Sequence, residues 1–105
     1  MDGLSNKAKV IYAALEKLNA YSENCEITSY KLLDYISEDE ELNEHPLLKD
    51  ISEEEFVEII MDLNLKSINT LIASMCRKDL VIKSDPHSIK IDGERHNLRY
   101  YFLKK

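Results

Sequence analysis

Asn64-Leu65-Lys66-Ser67-Ile68-Asn69-Thr70-Leu71-Ile72-Ala73-Ser74-Met75-Cys76-Arg77-Lys78-Asp79-Leu80-Val81-Ile82-Lys83 changes its periodicity in mid-course, and the fold follows from that change. Ile68, Leu71, Ile72 and Met75 recur at three- and four-residue spacing, the stripe of an amphipathic helix over about 65–78. Asn64 is placed to cap it, because an Asn side chain accepts from the free N–H groups of a first turn. After Asp79 the pattern becomes β-like. Leu80–Lys83 is rich in β-formers, and Ser88-Ile89-Lys90-Ile91 alternates with period two. Asp92-Gly93 is a type I′ turn signal, since both central residues of that turn need positive φ. Arg95 to Leu103 then returns as a strand. Pairing about that turn sets Ile82 opposite Leu103 and Ser84 opposite Tyr101. Asp85-Pro86 is expected to bulge or kink the outgoing strand, because Pro has no ladder donor.

Working towards the N-terminus, Ser52 with Glu55 three residues on predicts a capping box. The helix it opens runs to about Asp62, with Phe56, Val57, Ile59 and Ile60 as its apolar side. Before it, His45-Pro46 interrupts any helix, and Leu47, Leu48 and Ile51 are expected to tuck the loop onto the core. The run Glu38, Asp39, Glu40, Glu41 and Glu44 reads as solvated surface. Thr28 opens another helix, with Leu32, Leu33 and Ile36 inward. Cys25-Glu26-Ile27 is expected to be a short extended piece. Ser5 caps a first helix over about 6–20, with Val10, Ile11, Ala14, Leu15 and Leu18 buried. The expected class is mainly α with a C-terminal β-hairpin (α+β), in one domain over residues 1–105.

The chain has 105 residues, 44% of them hydrophobic, enough for one core. No stretch approaches the ~20 apolar residues of a membrane span, and the first residues carry no basic lead or apolar run of a secretory signal. Cys25 and Cys76 lie far apart without metal-ligand spacing, so reduced thiols in a cytoplasmic protein are expected, with no metal and no cofactor. The net charge of −6 argues against a nucleic-acid partner. That average conceals a split. Residues 1–63 carry −11 and residues 64–105 carry +5, an asymmetry that points to two faces with different roles.

Lys66-Ser67-Ile68-Asn69-Thr70 and Arg77-Lys78-Asp79-Leu80-Val81-Ile82, followed by a hairpin with a Gly turn, resemble the helix-turn-helix of winged-helix transcriptional regulators of the MarR-like group. The resemblance covers about residues 52–103. It implies a helix-turn-helix over about 52–78, a recognition helix over about 65–78, a wing over about 80–103, and double-stranded DNA as partner. Two departures stand out: Asp79 where the family usually has Gly, and the acidic stretch Glu38–Glu58. Opposite the stripe of the 65–78 helix lie Lys66, Asn69, Thr70, Ala73 and Arg77, with Ser67 and Ser74 at the flanks and no acid among them. Asn and Arg match adenine and guanine edges, and Lys66, Ser67 and the helix N-terminus suit a phosphate. Lys90, Arg95, His96 and Arg99 are placed to touch the neighbouring DNA backbone or minor groove.

A short half-site per copy implies a homodimer, with Tyr12 and Tyr21 as one interface. The alternative is a winged-helix protein-interaction or nucleic-acid-mimic module whose acidic face, Glu38–Glu58, takes a basic partner. Enzyme chemistry is not expected. His45, His87 and His96 lack ligand spacing, and Gly3 and Gly93 are too few for a phosphate loop.

Overall fold

Ser5 accepts from the Ala8 N–H and starts α1, Asn6–Lys17. The computed structural model describes residues 3–104. The helix ends earlier than expected because Asn19 turns left-handed (φ 53°). That turn lets the Ala20 N–H close on Leu15 O at 3.0 Å and the Asn19 N–H on Glu16 O at 3.0 Å, the paired bonds of a Schellman stop. The extended piece expected at Cys25–Ile27 does not form. Glu23–Cys25 is a 3-10 turn and Glu26 is left-handed at φ 55°, a backbone no strand can contain. Of the three only Ile27 bonds to a strand, its carbonyl accepting the Tyr101 N–H at 2.8 Å.

Thr28 caps α2, Ser29–Glu38, by accepting from the Lys31 N–H. The acidic run after it is only partly solvated. Lys17 Nζ donates to Asp39 at 2.7 Å, while 3-10 turns at Leu42–Glu44 and Pro46–Leu48 bury Leu42 and Leu48. Ser52 caps α3, Glu53–Asp62, but only half of the expected box forms, because the Glu55 carboxylate accepts instead from Asn6 Nδ2 at 2.9 Å. The reciprocal box belongs to α4, Leu65–Arg77. Asn64 Oδ1 accepts from the Ser67 N–H at 2.9 Å, and Ser67 Oγ accepts from the Asn64 N–H at 3.0 Å. Helices α1, α2 and α4 pack on one another, and α3 contributes Phe56 and Ile59 to the core. Val57 does not join them. It is 49% exposed, since one residue beyond Phe56 is ~100° further round the helix.

α4 ends at Asp79, which is left-handed at φ 60°. The Leu80 N–H closes on Met75 O at 3.0 Å and the Asp79 N–H on Cys76 O at 3.1 Å. The chain then forms β1, Val81–Lys83, β2, His87–Ile91, β3, Glu94–Leu98, and β4, Tyr101–Leu103. β2 and β3 meet at Asp92-Gly93, with φ 51° and 83° as the turn requires. Among the described residues the molecule is an α+β protein of four α-helices with C-terminal antiparallel pairs β1–β4 and β2–β3.

The strand register differs from the expected one. β2 pairs with β3 as Lys90↔Arg95, but β1 pairs with β4 as Val81↔Leu103, Ile82↔Phe102 and Lys83↔Tyr101. Ile82 therefore does not face Leu103, nor Ser84 Tyr101. Ser84, Asp85 and Pro86 oppose only Arg99 and Tyr100, so the outgoing strand carries one extra residue. The slip turns Val81 and Leu103 into the core, 3% and 1% exposed, and leaves Ile82 out at 38%.

Asp79→Gly removes the left-handed penalty of a residue with a Cβ and is expected to raise stability by about 0.5–1 kcal/mol in urea unfolding. The Lys17 ammonium holds the Asp39 carboxyl below its ordinary range, with the Tyr35 hydroxyl and the Glu41 N–H assisting and burial opposing. A depressed carboxyl stabilises the fold above its ordinary pKa and loses that contribution as pH falls through its folded value. Asp39→Asn is thus expected to lower the urea midpoint at neutral pH, and the difference from the parent to shrink once pH falls below 3.8.

Candidate nucleic-acid interface

Of the residues singled out on α4, Lys66, Asn69, Thr70, Ala73 and Arg77 are exposed and Ser67 is half-buried. Lys66 and Arg77 form no ion pair among the described residues. The polar groups between them are less free. Ser67 is held in the cap, and Thr70 Oγ1 donates to Lys66 O at 3.0 Å. Asn69 Oδ1 accepts from the buried Ser29 hydroxyl at the start of α2. Ser29 also bonds the Tyr101 hydroxyl, opposing the upward push that burial gives that phenol. This chain of three polar side chains joins α2, α4 and β4.

The hairpin separates the residues expected to act together. Cross-strand neighbours Lys90 and Arg95, with Ser88 and Asn97, form one exposed face. His96 points to the other face with His87, Ile89, Ile91 and Leu98, since side chains alternate along a strand. There its ring lies 6.0 Å from that of Tyr30, and His87 stacks on Tyr100 at 4.7 Å. His87 Nε2 also meets Glu23 at 2.8 Å. Arg99 is structural here: its Nη1 donates to Ser84 O at 2.7 Å. Ser84 closes the rest of the bulge, giving its N–H to Tyr100 O at 2.8 Å and accepting the Tyr100 N–H on its hydroxyl at 2.8 Å.

Between α4 and β3 lies a cleft of about 260 Å³, lined by Ser29, Tyr30, Asn69, Asn97, Arg99 and Tyr101. The exposed sides of α4 and the hairpin thus border one depression. A second, shallower groove of about 400 Å³ runs along the start of α4 and is lined by Lys7, Lys66, Ser67 and Thr70 among others. Lys7 comes from α1, and no local pattern in the sequence ties it to Lys66. Burial pushes up the pKa of the Cys76 thiol, against the opposing charges of Lys83 and Arg77. The acids Glu53, Glu54 and Glu58 line a groove of their own on α3 with Val57.

Tyr12 is half-buried and packs against the core. Among the described residues no three His, Cys, Asp or Glu side chains gather as a metal site, and no helix is long and apolar enough to cross a membrane. No protein-family model, curated protein or solved structure matches the chain. Ser84→Ala is expected to strip the Tyr100 N–H of its acceptor and destabilise the fold by about 1–3 kcal/mol in urea unfolding.

Proposed function

We propose that the protein is a DNA-binding regulator of the winged helix-turn-helix kind, with α4 as recognition helix and the β2–β3 hairpin as wing. The carrying observation is the shared cleft: the acid-free face of α4 and the Lys90/Arg95 face of the hairpin border the same depression, through Asn69 on one side and Asn97 on the other. The free carboxylates of α3 occupy a separate groove. Screening makes that separation matter, because at ~0.15 M salt charges beyond about 8 Å contribute little. A phosphate therefore meets the local field of Lys66, Arg77, Lys90 and Arg95 more than the net −6 of the chain.

The small side chain of Ala73 at mid-helix suits close approach to a major groove about 12 Å wide. Lys66 and Lys7 flank the start of α4, where a backbone phosphate is favoured. Arg77 near the helix end is placed for a base edge or phosphate. The longest dimension of the molecule is 38 Å, about one turn of duplex, so the reading includes a second copy on an adjacent half-site.

Fluorescence anisotropy with a pool of random duplexes at low salt tests the reading. Binding is expected, with affinity falling steeply as salt rises. Lys66→Ala and Lys90→Ala should each weaken binding and reduce the slope of log K against log salt by about one. Arg77→Ala should weaken it at least as much. No retention of any duplex at about 50 mM salt, where phosphate contacts are strong, would remove the reading.

A further inference from the structure

Val57 and Met61 stand about one turn apart on α3 and are 49% and 80% exposed. Apolar side chains at i and i+4 ordinarily form the buried stripe of a helix. In α3 the buried side is already filled by Phe56 and Ile59, so this pair faces away. Glu53, Glu54 and Glu58 surround Val57, and the four residues line a groove of about 430 Å³. These three carboxylates have no ion pair among the described residues, whereas Glu55 takes the Asn6 amide and Asp62 lies 3.9 Å from Lys7. The helix engages its acids towards α1 and leaves those around Val57 open.

Helix-end electrostatics explains part of this pattern. Acids in a first turn stabilise the positive end of a helix, which accounts for Glu53 and Glu54. It does not account for Glu58 in mid-helix, nor for a methionine exposed in the last turn. An apolar pair rimmed by unpaired charge of one sign is what a partner of opposite charge would cover.

From this we infer that the outward face of α3 docks a basic amphipathic polypeptide segment, its apolar side chains on Val57 and Met61 and its Lys or Arg heads at Glu53, Glu54 and Glu58. Long basic side chains suit such a rim, because their stems cover apolar surface while their charges stay at the edge. A nucleic acid or an anionic lipid surface is repelled by the same carboxylates. A second copy docked two-fold on this face would set the same residues opposite each other, bringing like charges together. The surface is distinct from the proposed DNA face, so the two can be tested separately.

The experiment is calorimetric titration of the full chain with three synthetic peptides of equal length. One repeats Leu-Lys-Lys-Leu, one replaces its lysines by glutamate, and one is oligolysine. The first is expected to bind at least tenfold more tightly than oligolysine, and the glutamate peptide not at all. Val57→Gln with Met61→Gln should weaken it at least tenfold, as should Glu54→Gln with Glu58→Gln. Removing two charges elsewhere, by Glu38→Gln with Glu40→Gln, should change affinity less than twofold. All six positions are exposed, and unchanged melting curves establish that the variants fold. Equal losses from the two neutralised pairs, or indifference to Val57→Gln with Met61→Gln, overturn the inference. Self-association that depends on Met61 in the absence of peptide overturns it too, by making a second copy the occupant. Duplex affinity measured on the same variants should not move, which keeps failure of this surface apart from failure of the DNA reading.

Discussion

The extra residue between Lys83 and His87 governs which charges the C-terminal half displays. Strict alternation back from Leu103 would keep Leu103, Tyr101, Arg99, Asn97 and Arg95 on one side of the strand. Leu103 is buried, so Asn97 and Arg95 would share its direction. Because β1–β4 and β2–β3 differ in register by one residue, the alternation is reset at Arg99-Tyr100. Asn97 and Arg95 emerge with Ser88 and Lys90, while His96 and Leu98 turn back towards Tyr30. The offset is fastened by polar groups: both backbone groups of Tyr100 and the guanidinium of Arg99 converge on Ser84. Pro86, lacking an N–H, asks nothing of the ladder at the point where the ladder is interrupted.

Features that depend on a few neighbouring residues were legible in the sequence. Ser5, Thr28, Ser52 and Asn64 each cap the helix expected of them, since a cap is a bond between residues three apart. Asp92-Gly93 adopts the backbone its composition demands. The bulge was legible at Asp85-Pro86 but its consequence was not. Whether an extra residue shifts the pairing depends on how many residues lie across from it, and that is a property of the other strand. Val57 shows a similar limit. Its hydrophobicity says it can be buried, but the space beneath α3 is taken by Phe56 and Ile59. The extended piece at Cys25–Ile27 yielded to the left-handed Glu26, a conformation a glutamate gives no local reason to expect.

The candidate surface was legible as a set of residues and not as an arrangement. Periodicity placed Lys66, Asn69, Thr70 and Arg77 on one side of a helix, where they are. It could not show that Ser29 holds the Asn69 carbonyl or that Thr70 bonds back to Lys66, because those partners come from tertiary packing and from helix geometry. Under the DNA reading, these bonds leave Lys66, Arg77, Lys90 and Arg95 as the groups with most freedom to meet phosphate. Asn69 would approach a base with its orientation already set through Ser29 and Tyr101.

The acid-rich α3 and the acid-free face of α4 are joined by a short, hydrogen-bonded connection. Only Leu63 and Asn64 separate α3 from α4, and both are anchored. Leu63 is buried and its N–H remains bonded to Ile59 O at 3.1 Å, while Asn64 is locked to Ser67 through two reciprocal bonds and a third from the Ser67 hydroxyl. An elbow so held fixes the direction of α3 relative to α4. The carboxylates around Val57 are thereby kept from swinging towards Lys66, where they would neutralise it. The same short connection that builds the two helices into one core thus holds the carboxylates around Val57 on α3 and Lys66 on α4 in separate grooves.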